Sequence, residues 1–223
     1  MNFVIITHVQ HIKDNTKYYG YAPYVSEMNI WLKYVDNVTV VAPIENIKLD
    51  AIHLDYNHKN LKFKEVQNFN TTSFLNSLQT FFKVPAILWT IFWAMKNADH
   101  IHLRCPGNMG LLGCMVQVLF PKIPKTAKYA GNWDPNAKQP FTYKIQKWIL
   151  NNTFLTKNMK VLVYGEWEGS SKNIKPFFTA TYSEVKKEAM LPRSVKGKIN
   201  FVFVGTLSIG KMPLYAIQLV ENL

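Results

Sequence analysis

"FVIITHVQHIKDNTKYYGYAPYVSEMNIWLKYVDNVTVVAP", residues Phe3 to Pro43, decides the fold class of this chain. Its first segment, "FVIIT", is apolar and rich in β-branched residues, which is typical of a strand covered on both faces. Pro23 stands where a helix favours proline, in the first turn. Apolar residues follow it at helical spacing: Val25, Met28, Leu32 and Val35. Since "VTVVAP" predicts a second strand, the stretch predicts two parallel strands joined by a helix in a right-handed crossover.

The same alternation continues along the chain. Apolar or alternating segments predict further strands: "LKFKEV", "HIHLR", "TAKYAG", "KVLVYG" and "KPFFTATYS". Helical patterns lie between them, over residues 71–97 with a break or a kink at Pro85, behind "HIHLR", and over Phe141 to Leu150. Strands that alternate with helices in this way predict a doubly wound, Rossmann-like α/β domain with a mostly parallel sheet of about seven strands.

"INFVFVGTLSIGKMPLYAIQLVENL", residues Ile199 to Leu223, predicts one more strand and one more helix. The segment before it is polar, contains Pro192 and Gly197, and has no sustained apolar pattern, as is typical of linkers. We therefore expect a Rossmann-like domain over residues 1–183, a linker over 184–198, and the opening of a second Rossmann-like domain over 199–223. One strand and one helix cannot bury their own apolar faces, so we expect most of that second domain to be missing from this chain.

The composition limits the classes of partner. The formal net charge is +12, and of the 26 basic residues only Arg104 and Arg193 are arginine. Lysines spread along the chain favour anionic lipid surfaces or phosphorylated substrates. Arginine is preferred for reading base edges, so we do not expect a nucleic-acid partner. Two cysteines are too few for a disulfide framework and no signal peptide precedes the first strand, so we expect a cytoplasmic location.

The most apolar segment is "VPAILWTIFWAM", Val84 to Met95. As a helix it would span about 18 Å, against about 30 Å of bilayer hydrocarbon, so it cannot cross a membrane. Lys83 and Lys96 flank it, and Trp89 and Trp93 share one helical face. Two interpretations stay open, a buried core helix and a helix that contacts the surface of an anionic membrane.

Ligands of open α/β sheets bind beyond the carboxyl ends of the strands, so those ends hold the candidate site. The loop after the first strand contains His8, His11, Gly20 and Tyr21. Gly20 could let backbone amides approach a ligand oxygen, or it could simply form the turn. Arg104 ends the strand "HIHLR" and is a candidate for holding a phosphate or a carboxylate.

Two further clusters lie at strand ends or along strands. Asn132, Trp133 and Asp134 follow "TAKYA", where an aromatic face could stack on a sugar ring and the polar side chains could bind its hydroxyls; a plain turn explains them equally well. His100 and His102 alternate on one strand, and we expect them to be packed and hydrogen-bonded rather than bound to a metal. We expect no metal site.

The chain lacks the common catalytic motifs. It has no G-x-S-x-G, Walker loop, H-E-x-x-H or full G-x-G-x-x-G. Covalent acyl transfer and P-loop nucleotide hydrolysis therefore have no support. A sugar-nucleotide oxidoreductase or epimerase would need a glycine-rich loop directly after the first strand, where the chain has "THVQHIKDN".

The layout as a whole resembles the two-domain glycosyltransferases of the GT-B type, and among them the group that retains anomeric configuration. A basic α/β domain, a linker and then a strand, a glycine, a basic residue and a helix follow the order of that family, with Val204, Gly205, Leu207 and Lys211 at the matching positions. The resemblance implies that the first domain holds the acceptor, and that Gly205, Thr206 and Lys211 contact the donor diphosphate.

The function that this resemblance implies is transfer of a sugar from a nucleotide-diphosphate sugar, without a bound metal or cofactor. The acceptor would be a cell-surface polysaccharide or a lipid-linked glycan, at the inner face of the cytoplasmic membrane. The chain alone is expected to be inactive, because most of the donor domain would be absent. The alternative is a non-enzymatic α/β module that binds a nucleotide or an anionic surface through its lysines.

Overall fold

The structure, a computed structural model, describes residues 1–67, 74–178, 188–189, 196–197, 199–205, 207 and 211–222, and within 74–82 it describes the backbone. The chain divides into two compact units, Met1–Thr181 and Tyr182–Leu223. The strands of the described residues are β1 (Asn2–Ile6), β2 (His11–Asp14), β3 (Lys17–Tyr21), β4 (Asn37–Pro43), β5 (His53–Asp55), β6 (Leu61–Val66), β7 (His100–Cys105), β8 (Lys125–Tyr129), β9 (Met159–Val163) and β10 (Ile174–Pro176). The helices are α1 (Ala22–Trp31), α2 (Phe74–Lys96), α3 (Asn108–Val116), α4 (Phe141–Asn151) and α5 (Pro213–Glu221).

Seven of the strands form one parallel sheet in the order β10-β9-β8-β7-β1-β4-β6. The chain moves outward from β1 through β4 to β6, returns to the other side of β1 with β7, and then continues outward to β10. When these strands are renumbered along the chain, this is the Rossmann order 3-2-1-4-5-6 with one strand added. The predicted doubly wound α/β fold with a mostly parallel sheet is confirmed.

A hydrophobic core lies on each face of the sheet. Phe3 and Ile5 of β1 pack with residues of α1, whereas Val4 and Ile6 pack with residues of α2, α3 and α4. Successive side chains of a strand point to opposite faces, so an apolar strand such as β1 serves both cores at once.

β2, β3 and β5 form a second, antiparallel sheet. β2 and β3 lie where the sequence predicted a loop after the first strand, so that prediction is wrong. His11 pairs with Gly20 and Asp14 pairs with Lys17, and Asn15 makes the turn in the left-handed region at φ 51°. Asparagine adopts this conformation more readily than most residues. The two hairpin strands are short and carry few apolar residues, which is why the pattern alone did not reveal them.

Helix α2 confirms the predicted helical region, but it continues through Pro85 as one helix, so no break forms there; residues 71–73 of that prediction lie outside the described residues. Ile91 and Met95 are buried, whereas Trp89 is 64% exposed and Trp93 37% exposed. The helix therefore packs into the core on one side and presents two tryptophans on the other. Among the described residues, no helix combines the length and the apolarity needed to span a bilayer.

In the second unit, residues 199–204 are neither helix nor strand, so the predicted strand is wrong, whereas the predicted helix forms as α5. A strand needs a neighbour for its backbone hydrogen bonds, and an isolated strand and helix cannot supply one. The apolar side chains stay exposed, including Val202 at 83% and Val204 at 89%. Most of the predicted linker lies outside the described residues.

Candidate functional site

The candidate site is a crevice at the carboxyl end of the parallel sheet, beside β1 and β7. These two strands are neighbours, and the chain reverses its direction of travel across the sheet between them. Ligands of doubly wound sheets bind at this switch point, because the loops on either side of it separate and leave room. The crevice has a volume of about 230 Å³ and is lined by His8, Pro43, Gln67, Gly107, Asn108, Met109 and Tyr143.

His8 follows the end of β1 and is the titratable residue with a perturbed pKa in this crevice. Burial of part of its ring lowers the pKa, the positive charge of Arg104 lowers it further, and a hydrogen bond with the Arg104 backbone opposes both. The imidazole is therefore uncharged near neutral pH. The turn is held by the Thr7 hydroxyl oxygen, which accepts a hydrogen bond from the Val9 backbone N–H at 3.1 Å. A neutral imidazole in a crevice can accept a proton from a hydroxyl group.

Gly107 forms the opposite wall, directly before α3. Its φ is +148°, and a Cβ atom at this position would lie 2.7 Å from Cγ and Nδ1 of His8. Glycine therefore allows the two loops to approach each other here. The Gly107 backbone N–H donates to Gln146 Oε1 at 3.3 Å, which ties the loop to α4. α3 begins at Asn108, which lines the crevice, so the N-terminus of a helix, which favours anions and polar oxygens, lies at this wall.

Buried charges adjoin the crevice on the α1 side of the sheet. Lys128 Nζ donates to both carboxylate oxygens of Glu27, at 2.7 and 2.8 Å, and Arg104 Nη1 lies 3.5 Å from Glu27 Oε2. The Arg104 guanidinium also lies 5.3 Å from the centre of the Tyr24 ring. The sequence predicted that Arg104 faces the cleft to hold an anion. In the structure the Arg104 guanidinium lies beside Glu27 and Tyr24 of α1, and its charge lowers the pKa of His8; anion binding by Arg104 stays a prediction.

The other predicted residues after β1 lie in the second sheet. His11 is fully buried, and its Nε2 makes a 2.8 Å hydrogen bond with the Tyr56 hydroxyl. Burial lowers the pKa of His11 to about 4. Gly20 packs against the His11 ring, where a Cβ atom would lie 3.2 Å from it, and Tyr21 ends β3 with half of its surface exposed. These three residues do not line the crevice, because the hairpin turns them away from the end of β1.

The cluster after β8 uses its polar side chains to form a turn. Asn132 Oδ1 accepts a hydrogen bond from the Asp134 backbone N–H at 2.9 Å, and Asp134 Oδ1 accepts one from Asn136 at 2.8 Å. Trp133 is 5% exposed and packs edge to face on Tyr129. None of the three lines the crevice; Trp133 lines a separate groove.

The predicted packing of the strand histidines is confirmed. His100 and His102 both hydrogen-bond to the Thr126 hydroxyl, at 3.1 and 2.9 Å. Burial first, and then nearby positive charge, lower the pKa of His102 to about 3. Among the described residues, no group of three or more His, Cys, Asp or Glu side chains is arranged to hold a metal ion.

The predicted donor residues belong to the second unit. Gly205 and Lys211 are exposed there, and Thr206 lies outside the described residues. Sequence reasoning missed Gly107, Asn108 and Tyr143; "CPGN" between a strand and a helix is the signal that could have indicated the first two.

No family model matches this chain, and no curated protein matches it in sequence.

Proposed function

We propose that this chain contributes the acceptor-side domain of a GT-B-type glycosyltransferase. The observation that carries the proposal is the crevice at the switch point of a Rossmann-ordered sheet, with an uncharged histidine on one wall and a helix N-terminus on the other. Such a crevice suits a polar acceptor whose hydroxyl must lose a proton.

The transfer step assigns a role to His8. The acceptor hydroxyl oxygen forms a bond to the anomeric carbon of the donor sugar, and the bond from that carbon to the diphosphate oxygen breaks. The diphosphate leaves with the electron pair, and the hydroxyl proton passes to the imidazole of His8. The depressed pKa supports this role, because an imidazolium could not take up the proton.

The donor side of the proposal rests on residues 199–223. We propose that these residues belong to a donor-binding domain in which Gly205, Thr206 and Lys211 stabilise the leaving diphosphate, since a leaving anion needs positive charge and backbone amides. Apolar side chains of α5 are exposed, such as Leu214 at 69% and Ile217 at 57%. This exposure supports the proposal that residues 199–223 are part of a domain with a larger hydrophobic core. We therefore expect the chain alone to show no turnover.

Attachment to the inner face of the cytoplasmic membrane is the second part of the proposal. Trp89 and Trp93 lie edge to face, 5.5 Å apart, on the exposed side of α2, and Lys96 Nζ lies 4.4 Å from the Trp93 ring. Exposed aromatic rings beside lysine on an apolar helix are typical of contact with an anionic bilayer surface.

A transfer assay tests the enzymatic part. Radiolabelled UDP-glucose, UDP-galactose, UDP-N-acetylglucosamine and GDP-mannose are each incubated with bacterial lipid extract and with either this chain or a product extended by the DNA that follows Leu223. We expect transfer by the extended product and none by the short chain. In the extended product, His8→Ala should abolish transfer, whereas the control His58→Ala should retain it. Absence of transfer in every combination, or full activity of His8→Ala, contradicts the proposal.

The alternative function, a non-enzymatic nucleotide-binding module, is favoured by the same strand order and by the helix N-terminus at the crevice. Calorimetry of the full chain with UDP and GDP separates the two. Nucleotide binding that is lost in Gly107→Ala and kept in Lys211→Ala would support the alternative, because our proposal assigns the donor to the second unit.

A further inference from the structure

A second concavity of the first unit is lined by three of the six tryptophans of the chain. This groove has a volume of about 380 Å³ and lies between α4, the loop after β8 and the segment that follows β9. Trp133, Trp148 and Trp167 all line it. Polar side chains also line it: Gln139, Lys144, Lys147, Asn151, Glu168 and Ser170.

Two of the three indole rings are held in place by the protein. Trp133 is nearly buried against Tyr129, with the ring centres 5.0 Å apart. Trp167 Nε1 donates to the Tyr164 carbonyl at 2.8 Å, in a turn that Gly165 makes at φ +81°. Trp148 projects from α4 and is 64% exposed. The groove therefore combines anchored aromatic walls with one open aromatic face.

The charges around the groove do not favour an anion. Lys147 Nζ donates to the carbonyls of Trp133 and Asp134, at 2.8 and 2.9 Å, and lies 5.5 Å from the centre of the Trp133 ring. Its charge is thus directed at the loop after β8. Lys144 and Glu168 are both exposed and carry opposite charges. A neutral ligand with many hydroxyl groups fits such a lining better than a phosphate.

We propose that this groove binds a neutral oligosaccharide, with pyranose rings stacked on Trp148 and Trp167 and with hydroxyl groups hydrogen-bonded to the polar lining. A pyranose presents an apolar C–H face and a polar rim, and it therefore needs aromatic surface and hydrogen-bonding groups side by side. The inference goes beyond the proposed transfer reaction. The groove would hold a glycan chain outside the crevice, and it requires no sugar-nucleotide donor.

Fluorine NMR tests the proposal at the level of single tryptophans. The full chain is labelled with 5-fluorotryptophan, which gives one signal for each of the six tryptophans, and each signal is assigned by single substitution. The labelled chain is titrated with cellohexaose, chitohexaose and maltohexaose. We expect at least one of these to shift the signals of Trp133, Trp148 and Trp167, while the other three tryptophan signals stay in place.

Substitutions provide a matched comparison. Trp148→Ala should weaken oligosaccharide binding about tenfold, the loss expected when one stacked ring contributes on the order of 1.4 kcal/mol. Trp148→Phe should recover part of the affinity. Trp89 is also 64% exposed but lies on α2, so Trp89→Ala should bind as tightly as the unsubstituted chain. Circular dichroism checks that each variant is folded.

The inference would be overturned by no shift with any of the three oligosaccharides, by equal shifts of all six signals, or by an unchanged affinity in Trp148→Ala. Shifts of the groove signals with UDP but with no oligosaccharide would overturn it as well and would indicate a nucleotide site. Because no donor is present in the titration, its outcome is independent of the transfer assay. Glycan binding without transfer contradicts only the proposed enzyme, and transfer without glycan binding contradicts only the groove.

Discussion

Acidification should destabilise this protein through two buried histidines, His11 and His102. Both side chains are fully buried, and burial lowers their pKa values to about 4 and about 3. In the unfolded chain an ordinary histidine has a pKa of about 6.5. Below that pH the two histidines become protonated in the unfolded state but stay uncharged in the folded state. The contribution of the two histidines to the free energy of unfolding is therefore complete above about pH 6.5 and decreases as the pH falls below that value.

The size of the effect follows from the same pKa values. As the pH falls between the pKa of the unfolded state and that of the folded state, each histidine lowers the free energy of unfolding by about 1.4 kcal/mol per pH unit. From pH 7 to pH 5 this amounts to about 2 kcal/mol for each residue and about 4 kcal/mol for the pair. A loss of that size is a large fraction of the stability of a typical domain, which is about 5–15 kcal/mol.

Urea unfolding followed by circular dichroism at pH 7, 6 and 5 measures the effect. His102→Phe places an aromatic ring in the same environment, since His102 lies between Phe3 and Trp31. We expect the pH-dependent loss to be about 2 kcal/mol smaller in this variant, because one titrating group has been removed. His58→Gln, at a half-buried position, is the control and should keep the full loss. If His102→Phe loses as much stability between pH 7 and 5 as the unsubstituted chain, the reasoning is refuted.

Two other predictions concern the crevice and the charges beside it. Gly169→Ala, at φ +73° and with open space around the new Cβ atom, should cost about 1–2 kcal/mol in urea unfolding. Gly107→Ala should cost more, because essentially only glycine adopts its backbone conformation and because its Cβ atom would also lie 2.7 Å from His8; it should abolish crevice function in transfer or nucleotide-binding assays. Lys128→Met should cost about 3–5 kcal/mol in urea unfolding because it leaves the Glu27 carboxylate buried 3.5 Å from its nearest remaining cation. The double variant Glu27→Leu with Lys128→Met should recover most of that loss, and a double variant as unstable as the single one would contradict the explanation.

The sheet was predictable because buried parallel strands are continuous apolar runs bounded by turns. β1 and β4 carry such runs, and both formed where the pattern placed them. The second sheet was not predictable, because its strands are short and polar and depend on pairing between Tyr19 and Asp55, which are distant in sequence. The segment from 199 to 204 shows the opposite case. It has the apolar pattern of a strand and forms none, because no described strand pairs with it.

The sequence predicted where the candidate site lies in the fold, but not most of the residues that line it. Topology alone places the candidate site at the ends of the strands, and it pointed to the loop of His8, which lines the crevice. Gly107 was missed because its importance depends on the approach of a second loop to the His8 ring, which no local pattern records. His11 was placed in the site because it is close to His8 in sequence, yet the hairpin buries it against Tyr56.

By itself, the sequence determined the fold class, the alternation of strands and helices that builds the parallel sheet, and the basic, lysine-rich composition. These follow from local periodicity and composition, which a single segment encodes without reference to the rest of the chain. Tertiary structure alone decided which strands flank the switch point, why Arg104 turns to Glu27, and how Trp133, Trp148 and Trp167 come to line one groove. Each of these depends on which distant segments become neighbours, and that is determined by the order of strands in the sheet and the paths of the loops that connect them.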